Sequence, residues 1–152
     1  MKTWFRWVIL VVTIGGGFQG FAEIFAEFLA LQSKTPAAVV LCGIITVFYI
    51  LAIVAGLRFA ENPKYTSVLI IVLLTQIPVI YSPILGYELN TALLVVLKFV
   101  GCKPGLGYLL GSDHRLLIGY DMPWGIGVNV VPVALLTLFH RFAFADRRSP
   151  GN

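Results

Sequence analysis

Four long apolar segments, separated by short polar connections, dominate the chain. They run over about residues 7–31, 37–57, 68–87 and 124–144. Each is close to the roughly 20 residues that an α-helix needs to cross a hydrocarbon core of about 30 Å. Because the backbone cannot hydrogen-bond to lipid, runs of this length are predicted to cross as helices. Segments of about ten residues with alternating polarity, which would indicate membrane strands, are not evident.

The pattern predicts an all-α fold, a polytopic transmembrane four-helix bundle with up-down-up-down topology. Residues 88–123 form one longer outer loop in this prediction, and they are too few to bury a core of their own. We interpret residues 1–152 as a single integral membrane domain. Asp121, shortly before Pro123, is predicted to cap the start of the fourth helix.

The composition also favours a membrane protein. Of the 152 residues, 59% are hydrophobic and only 12% are charged, against roughly 25% charged residues in an ordinary soluble domain. So few charges cannot cover the surface of an independent soluble globule, and a chain this apolar is not disordered. The first apolar run continues to Leu31, which is too long for a signal peptide, so we predict an uncleaved first helix.

The positive residues predict the orientation in the membrane. With four spans, the N-terminus, the second connection and the C-terminus share one side. That side carries Lys2, Arg6, Arg58, Lys64, Arg141, Arg147 and Arg148, and the other side carries Lys34, Lys98, Lys103 and Arg115. An excess of Lys and Arg marks the cytoplasmic side, so both termini are predicted to be cytoplasmic, in a bacterial inner membrane. The charges are scattered between apolar runs and form no basic stripe that would bind nucleic acid.

One face of the first segment combines small residues with carboxylates. Gly16, Gly20, Glu23 and Glu27 follow a 4-3-4 spacing, which places them on one helical face with Gln19 beside it. The two glycines are predicted to let another helix approach closely. A carboxylate inside a membrane is costly, which makes it a candidate functional group. This face is therefore expected to point into protein rather than lipid.

Two interpretations of these carboxylates are open. Glu23 is either a group that takes up and releases protons or a neutral acid hydrogen-bonded to Gln76 in the third segment. Glu27, near the outer interface, is expected to reach water or Lys34. A Glu23→Gln substitution separates the two roles of Glu23, because it removes the titratable group and keeps the hydrogen bonding. We expect this substitution to be nearly silent.

The sequence contains no evident catalytic or metal-binding constellation. The two histidines and the two cysteines lack metal-site spacing, so no metal or cofactor is predicted, and the protein is not predicted to be an enzyme. Asp113, His114 and Arg115 form the densest polar cluster of the chain. We place them in a turn of the outer loop, where they are candidates for contact with a binding partner.

The predicted layout has four spans, small cytoplasmic ends and one longer outer loop. It is similar to that of immunity proteins against pore-forming toxins and of accessory subunits of larger complexes. A single four-helix chain has little room for a conduit. The sequence therefore predicts a small non-enzymatic membrane protein that binds, stabilises or neutralises a membrane partner or toxin, with a homo-oligomer as a further option. The alternative is a small oligomeric proton-linked channel or carrier built around Glu23.

Overall fold

The structure is a computed structural model that describes residues 3–30, 35–62, 65–119 and 121–147. Lys2, Lys34, Lys64 and Arg148, which contribute to the predicted charge asymmetry, lie outside these ranges. The helices are α1 (Thr3–Leu10), α2 (Gly16–Ala30), α3 (Pro36–Glu61), α4 (Ser67–Thr75) and α5 (Val130–Arg147). The strands are β1 (Pro78–Tyr81), β2 (Leu85–Asn90), β3 (Leu93–Val100), β4 (Lys103–Leu110), β5 (Asp113–Ile118) and β6 (Gly125–Asn129). The prediction of an all-α four-helix bundle is wrong, because the chain builds a six-stranded antiparallel sheet as well as helices.

The first two apolar segments do form long helices. A π-helical turn, Val11–Gly15, joins α1 and α2 into one helix over Thr3–Ala30. Within the described ranges, this helix and α3 are the two that are long and apolar enough to cross a membrane. The Thr35 hydroxyl accepts a hydrogen bond from the Ala38 amide over 3.3 Å, and Pro36 occupies the first turn. This is a common way to begin a helix.

The third segment, 68–87, is not a transmembrane helix. Its helical part, α4, ends at Thr75, and the rest forms β1 and the start of β2. Pro78 and Pro83 cannot donate helical hydrogen bonds, and the β-branched residues near Pro78 favour an extended chain. The segment lacks the alternation of a half-exposed strand because apolar side chains lie on both faces of the sheet here. A strand of this kind reads as a continuous apolar run.

The fourth segment, 124–144, and the predicted outer loop, 88–123, also differ from the prediction. The fourth segment begins with β6, and α5 starts only at Val130. Asn129, not Asp121, caps this helix, because its Oδ1 accepts from the Val131 amide over 3.2 Å. The outer loop holds most of the sheet. Glycines within these strands carry no hydrophobic signal, so the strands resemble a loop in the sequence.

The sheet has the strand order β4-β3-β6-β1-β2-β5. The β2–β3 stretch and the β4–β5 stretch form one long hairpin in a single register, with Asn90 opposite Asp113 and Leu93 opposite Leu110. We call the bend between these pairs, residues 91–92 and 111–112, the corner. Strand β1 pairs with β2, strand β6 pairs with β3, and β1 and β6 pair with each other. The sheet is therefore bent at the corner, and we call the bent sheet the cup, with β2 and β5 as one arm and β3 and β4 as the other. Its inner face buries Val79, Tyr81, Leu94 and Val96.

The helices pack against one another at one end of the molecule and against the sheet at the other. Near the N-terminus, the Phe5 ring lies 5.1 Å from that of Phe142, and the Phe59 ring lies 6.0 Å from that of Phe139. These contacts join α1, α3 and α5. Further along, α3 packs on β5, Leu116 of β5 packs against the hydrophobic core, and His114 of β5 contacts Glu27 of α2. The sheet therefore lies beside α2 rather than beyond the ends of the helices.

Candidate functional site

The α2 helix meets the corner of the sheet at a glycine. A Cβ atom on Gly16 would overlap the backbone carbonyl group of Thr91, so only glycine allows this approach. Ser112 Oγ lies 2.6 Å from the Gly16 carbonyl oxygen and 2.8 Å from the Thr91 carbonyl oxygen. Gln76 Oε1 accepts from the Thr91 amide and hydroxyl, both over 3.1 Å. The corner thus ties α2, the end of α4 and both long strands together.

The predicted pair of Glu23 and Gln76 does not form. Gln76 bonds to Thr91, as described, and Glu23 Oε1 accepts from Gln19 Nε2 over 2.9 Å within α2 itself. The two glycines of this helical face have different neighbours. Gly20 lies against the Tyr49 ring of α3, whereas Gly16 contacts the sheet. The face does point into protein at both glycines, but its partner at Gly16 is a strand connection that the sequence did not reveal.

A second polar contact joins α2 and α3 to β5. His114 Nε2 lies 3.1 Å from Glu27 Oε2, and His114 Nδ1 lies 3.4 Å from the Tyr49 hydroxyl. The same hydroxyl lies 3.1 Å from the carbonyl oxygen of Asp113. The imidazole is almost fully buried, whereas the Glu27 side chain is 66% exposed. Glu27 is therefore largely exposed, and its partner among the described residues is a histidine of the sheet, whereas Lys34 lies outside those residues.

The cluster Asp113–Arg115 lies in β5 and not in a turn. Side chains alternate along a strand, so His114 points to the helices while Asp113 and Arg115 point to the inner face of the sheet. On that face Arg115 lies opposite Glu88 of β2 in the strand register, and Asp113 lies opposite Asn90. The three residues consequently do not form one binding tip. Sequence adjacency placed them together, and the strand conformation separates them.

The inner face carries a buried polar cluster that the sequence did not predict. Glu88 is 5% exposed and accepts a hydrogen bond from the Tyr81 hydroxyl over 3.1 Å. The Lys98 ammonium lies 5.9 Å from the centre of the Tyr81 ring. Burial, and then the charge of Asp113, raise the pKa of Glu88. Burial also raises the pKa of Tyr81 to about 12, so this hydroxyl remains a donor at neutral pH.

Glu88→Gln is expected to weaken the pH dependence of stability. A carboxyl whose pKa is higher in the folded than in the unfolded protein holds its proton more tightly when folded. The free energy of unfolding therefore falls as the pH rises from the usual glutamate range through the raised pKa. Glutamine still accepts the Tyr81 hydrogen bond but does not titrate. Thermal unfolding in detergent, measured from pH 4 upward, checks this, with the exposed Glu61→Gln as control. Identical pH profiles of wild type and Glu88→Gln would contradict it.

The opposite face of the sheet is apolar and exposed along β3, β4 and β6. The pairing places seven side chains on this side, which we call the outer apolar face. They are Leu97, Phe99, Leu106, Tyr108, Leu110, Ile126 and Val128. Tyr108 is 84% exposed and Leu110 is 87% exposed. A contiguous apolar surface of this kind typically marks an interaction site or contact with a membrane.

Strand β4 is an edge of the sheet and is the most exposed element in it. All of its residues except Gly107 are exposed, and no charge lies between Pro104 and Leu110. Edge strands carry unpaired backbone N–H and C=O groups, and proteins usually protect them with charges or bulges. The sequence signal was present in the alternating Leu106, Tyr108 and Leu110, but Gly105 and Gly107 on either side of Leu106 weakened it.

Metal coordination has no support among residues 3–30, 35–62, 65–119 and 121–147. No group of three or more His, Cys, Asp or Glu side chains there is placed to hold a metal ion. Cys42 and Cys102 are free thiols in different parts of the fold.

Comparison of the chain with protein-family models, with curated proteins and with solved structures finds no match in any of the three. The surface chemistry of the outer apolar face and of β4 is therefore what argues for a function.

Proposed function

We propose that this chain is a non-enzymatic integral membrane protein that binds another membrane protein chain, in an accessory-subunit or immunity-type role. The observation that carries the proposal is β4, an edge strand that has no charge from Pro104 to Leu110 and is exposed on both faces beside the outer apolar face. Lipid or detergent can cover apolar side chains, but neither can hydrogen-bond to a strand edge. A protein strand can do both, which is the basis of recognition by strand addition.

The contacts along α2 support a membrane setting for the edge strand. In the orientation that we propose, with both termini on the cytoplasmic side of a bacterial inner membrane, α2 occupies the outer half of the first membrane-crossing helix. The sheet contacts α2 from Gly16 to Glu27, so it lies beside that outer half. An open sheet edge at this depth needs protein to satisfy it.

The charges support this orientation. Arg6 donates a hydrogen bond to the Ala60 carbonyl, so the start of α1 and the end of α3 lie at the same level. Phe142 of α5 packs at this level too, against Phe5 of α1. Arg58 and Arg141 belong to the same end of the molecule. A concentration of Lys and Arg at one end favours its placement in the cytoplasm. The hairpin tip at Gly101 and Cys102 lies at the opposite end of β3 from the corner.

Cysteine labelling is expected to modify Cys102, but not Cys42, from outside intact cells. Cys102 is exposed at the hairpin tip, whereas Cys42 is half-buried in a membrane-crossing helix. A membrane-impermeant maleimide applied before and after permeabilisation measures this. Labelling of Cys102 only after permeabilisation would reverse the orientation.

Charged residues on β4 are expected to abolish partner binding. The double variant Leu106→Lys/Tyr108→Lys replaces two exposed side chains and protects the edge as natural proteins do. We expect at least about a tenfold loss of associated protein, equivalent to about 1.4 kcal/mol, in mild-detergent purification from cells that also express a differently tagged second copy of the chain. Mass spectrometry quantifies the recovered proteins, the tagged copy included. The matched control is Ile84→Lys/Ile118→Lys, two exposed residues on the other arm of the cup. Equal recovery of partner with both variants would refute a binding role for β4.

The contacts of Glu23 do not favour a proton-linked carrier built around it. The hydrogen bond that Glu23 makes to Gln19 stays within α2, and no observation in the described structure favours a path for protons. The Glu23→Gln substitution remains its test.

A further inference from the structure

We propose that the strand that completes β4 is the β4 strand of a second copy of this chain, paired antiparallel about a twofold axis at Tyr108. This inference rests on the proposed function, because it names the chain that binds the edge. It would join the two cups into one continuous sheet. The outer apolar faces of both copies would then form a single surface.

The hairpin turn determines which backbone groups of β4 are free. Gly101 and Cys102 have φ values of 55° and 63°, the left-handed conformations of a two-residue type I′ turn. In such a hairpin the residues that flank the turn, here Val100 and Lys103, form a hydrogen-bonded pair. Hydrogen-bonded pairs then recur at every second residue, so the odd-numbered residues of β4 bond to β3. The Gly111 amide donates to the Ala92 carbonyl, which continues the same pattern of odd-numbered residues bonded to the β2–β3 stretch.

The free groups are therefore those of the even-numbered residues. Leu106, Tyr108 and Leu110 each direct an N–H and a C=O away from β3, whereas Pro104 has only a carbonyl to offer. A register centred on Tyr108 opposes Tyr108 with itself and Leu106 with Leu110 of the second copy. Each opposed pair exchanges two hydrogen bonds, and Pro104 stays outside the ladder.

The side chains of β4 suit the same twofold arrangement. A twofold interface must be self-complementary, because both copies contribute the same residues: if Leu106 of one copy meets Leu110 of the other, then Leu110 of the first meets Leu106 of the second. On the outer face, leucine meets leucine on both sides of a central tyrosine pair. On the other face, Gly107 lies opposite Leu109 of the second copy, which pairs a small residue with a large one. No like charges oppose each other within the paired segment.

The other edge of the sheet is less suited to self-pairing. Strand β5 carries Asp113 and Arg115, and both α2 and α3 already contact its His114. Charged and covered edge strands are the protected kind. Of the two edges, β4 is therefore the one available to a second copy.

Disulfide trapping tests both the partner and the register. In a Cys42→Ala/Cys102→Gly background, Tyr108→Cys is expected to form a covalent dimer under mild oxidation in native membranes. Opposed residues of an antiparallel pair have Cα atoms about 5.5 Å apart, within the range that a disulfide spans. Leu106→Cys alone is expected to stay monomeric, but co-expression with a Leu110→Cys chain is expected to yield a mixed dimer.

The outcomes separate this inference from the proposed function. Wild type in mild detergent is expected to have twice the 16.7 kDa of one chain, and Leu106→Lys/Tyr108→Lys is expected to be monomeric. Trapping of Leu106→Cys with itself would overturn the register. No trapping at Tyr108, with a different protein bound through β4, would overturn the second copy as partner and leave the proposed function intact. A monomer that binds no protein would overturn both.

Discussion

Gly16→Ala is expected to disrupt the junction between α2 and the sheet, although alanine is the better helix former. Its methyl group would overlap the carbonyl group of Thr91, which is backbone and cannot rotate away. The helix or the corner must shift, and the hydrogen bond that Ser112 makes there is lost with it. We expect a loss of about 3 kcal/mol in the free energy of unfolding, the upper range for overpacking. Thermal unfolding of purified protein in detergent measures it.

Two other glycines, one in each of the two long helices, provide matched controls. A Cβ atom on Gly15 or Gly43 would meet no atom within 4 Å, so Gly15→Ala and Gly43→Ala introduce the same methyl group without a clash. Both are expected to leave stability unchanged or to raise it by up to about 1 kcal/mol through helix propensity. If Gly16→Ala unfolded at the same temperature as these controls, the close approach of α2 to the corner would be wrong.

Gln76→Leu is expected to be the second most damaging change. The leucine fills similar space but leaves the Thr91 amide and hydroxyl without their acceptor in a buried site. An unsatisfied buried donor costs about 1–3 kcal/mol, and two donors are affected here. We therefore expect a loss of about 3 kcal/mol in the free energy of unfolding, measured in the same way.

The control for this change is another glutamine on an apolar helix. Gln19 is exposed, its amide lies beside Gly111 of the corner, and it donates to Glu23 within its own helix. Gln19→Leu therefore leaves no buried donor without an acceptor and is expected to change stability by less than about 0.5 kcal/mol. A double variant sharpens the test. Thr91→Val should cost less in the Gln76→Leu background than in wild type, because its hydroxyl has already lost this acceptor. Equal costs in both backgrounds would argue against the bond.

Part of the junction was predictable. The spacing of Gly16, Gly20 and the two glutamates placed a small, polar face on one side of the first helix, and both glycines do contact protein. The partners were not predictable, because Thr91 and Ser112 lie in connections with no local signal. Likewise, Gln76 was recognised as a polar residue in an apolar run, but its pairing with Thr91 depends on a strand that the apolar run concealed.

The binding surface was missed for a related reason. The outer apolar face draws on three strands, and each supplies only two or three of its residues. Leu97, Tyr108 and Ile126 are neighbours only after β3 has paired with β4 and β6. No single stretch of the sequence contains all the residues of this surface. The Asp113–Arg115 cluster, by contrast, is continuous in the sequence, but the strand divides its side chains between two faces.

The sequence by itself determined the apolar character of the chain and its two long helices. Helical hydrogen bonds join residues four apart, so each of the apolar runs through Phe18 and Ile45 contains both the donors and the acceptors of its own helix. Only the tertiary structure decided that residues 78–129 form a sheet. A strand's hydrogen bonds go to another strand, and β1 finds one of its partners in β6, where Pro78 lies opposite Val128. Because that pairing depends on distant residues, a continuous apolar run resembles a helix until its partner strand is in place.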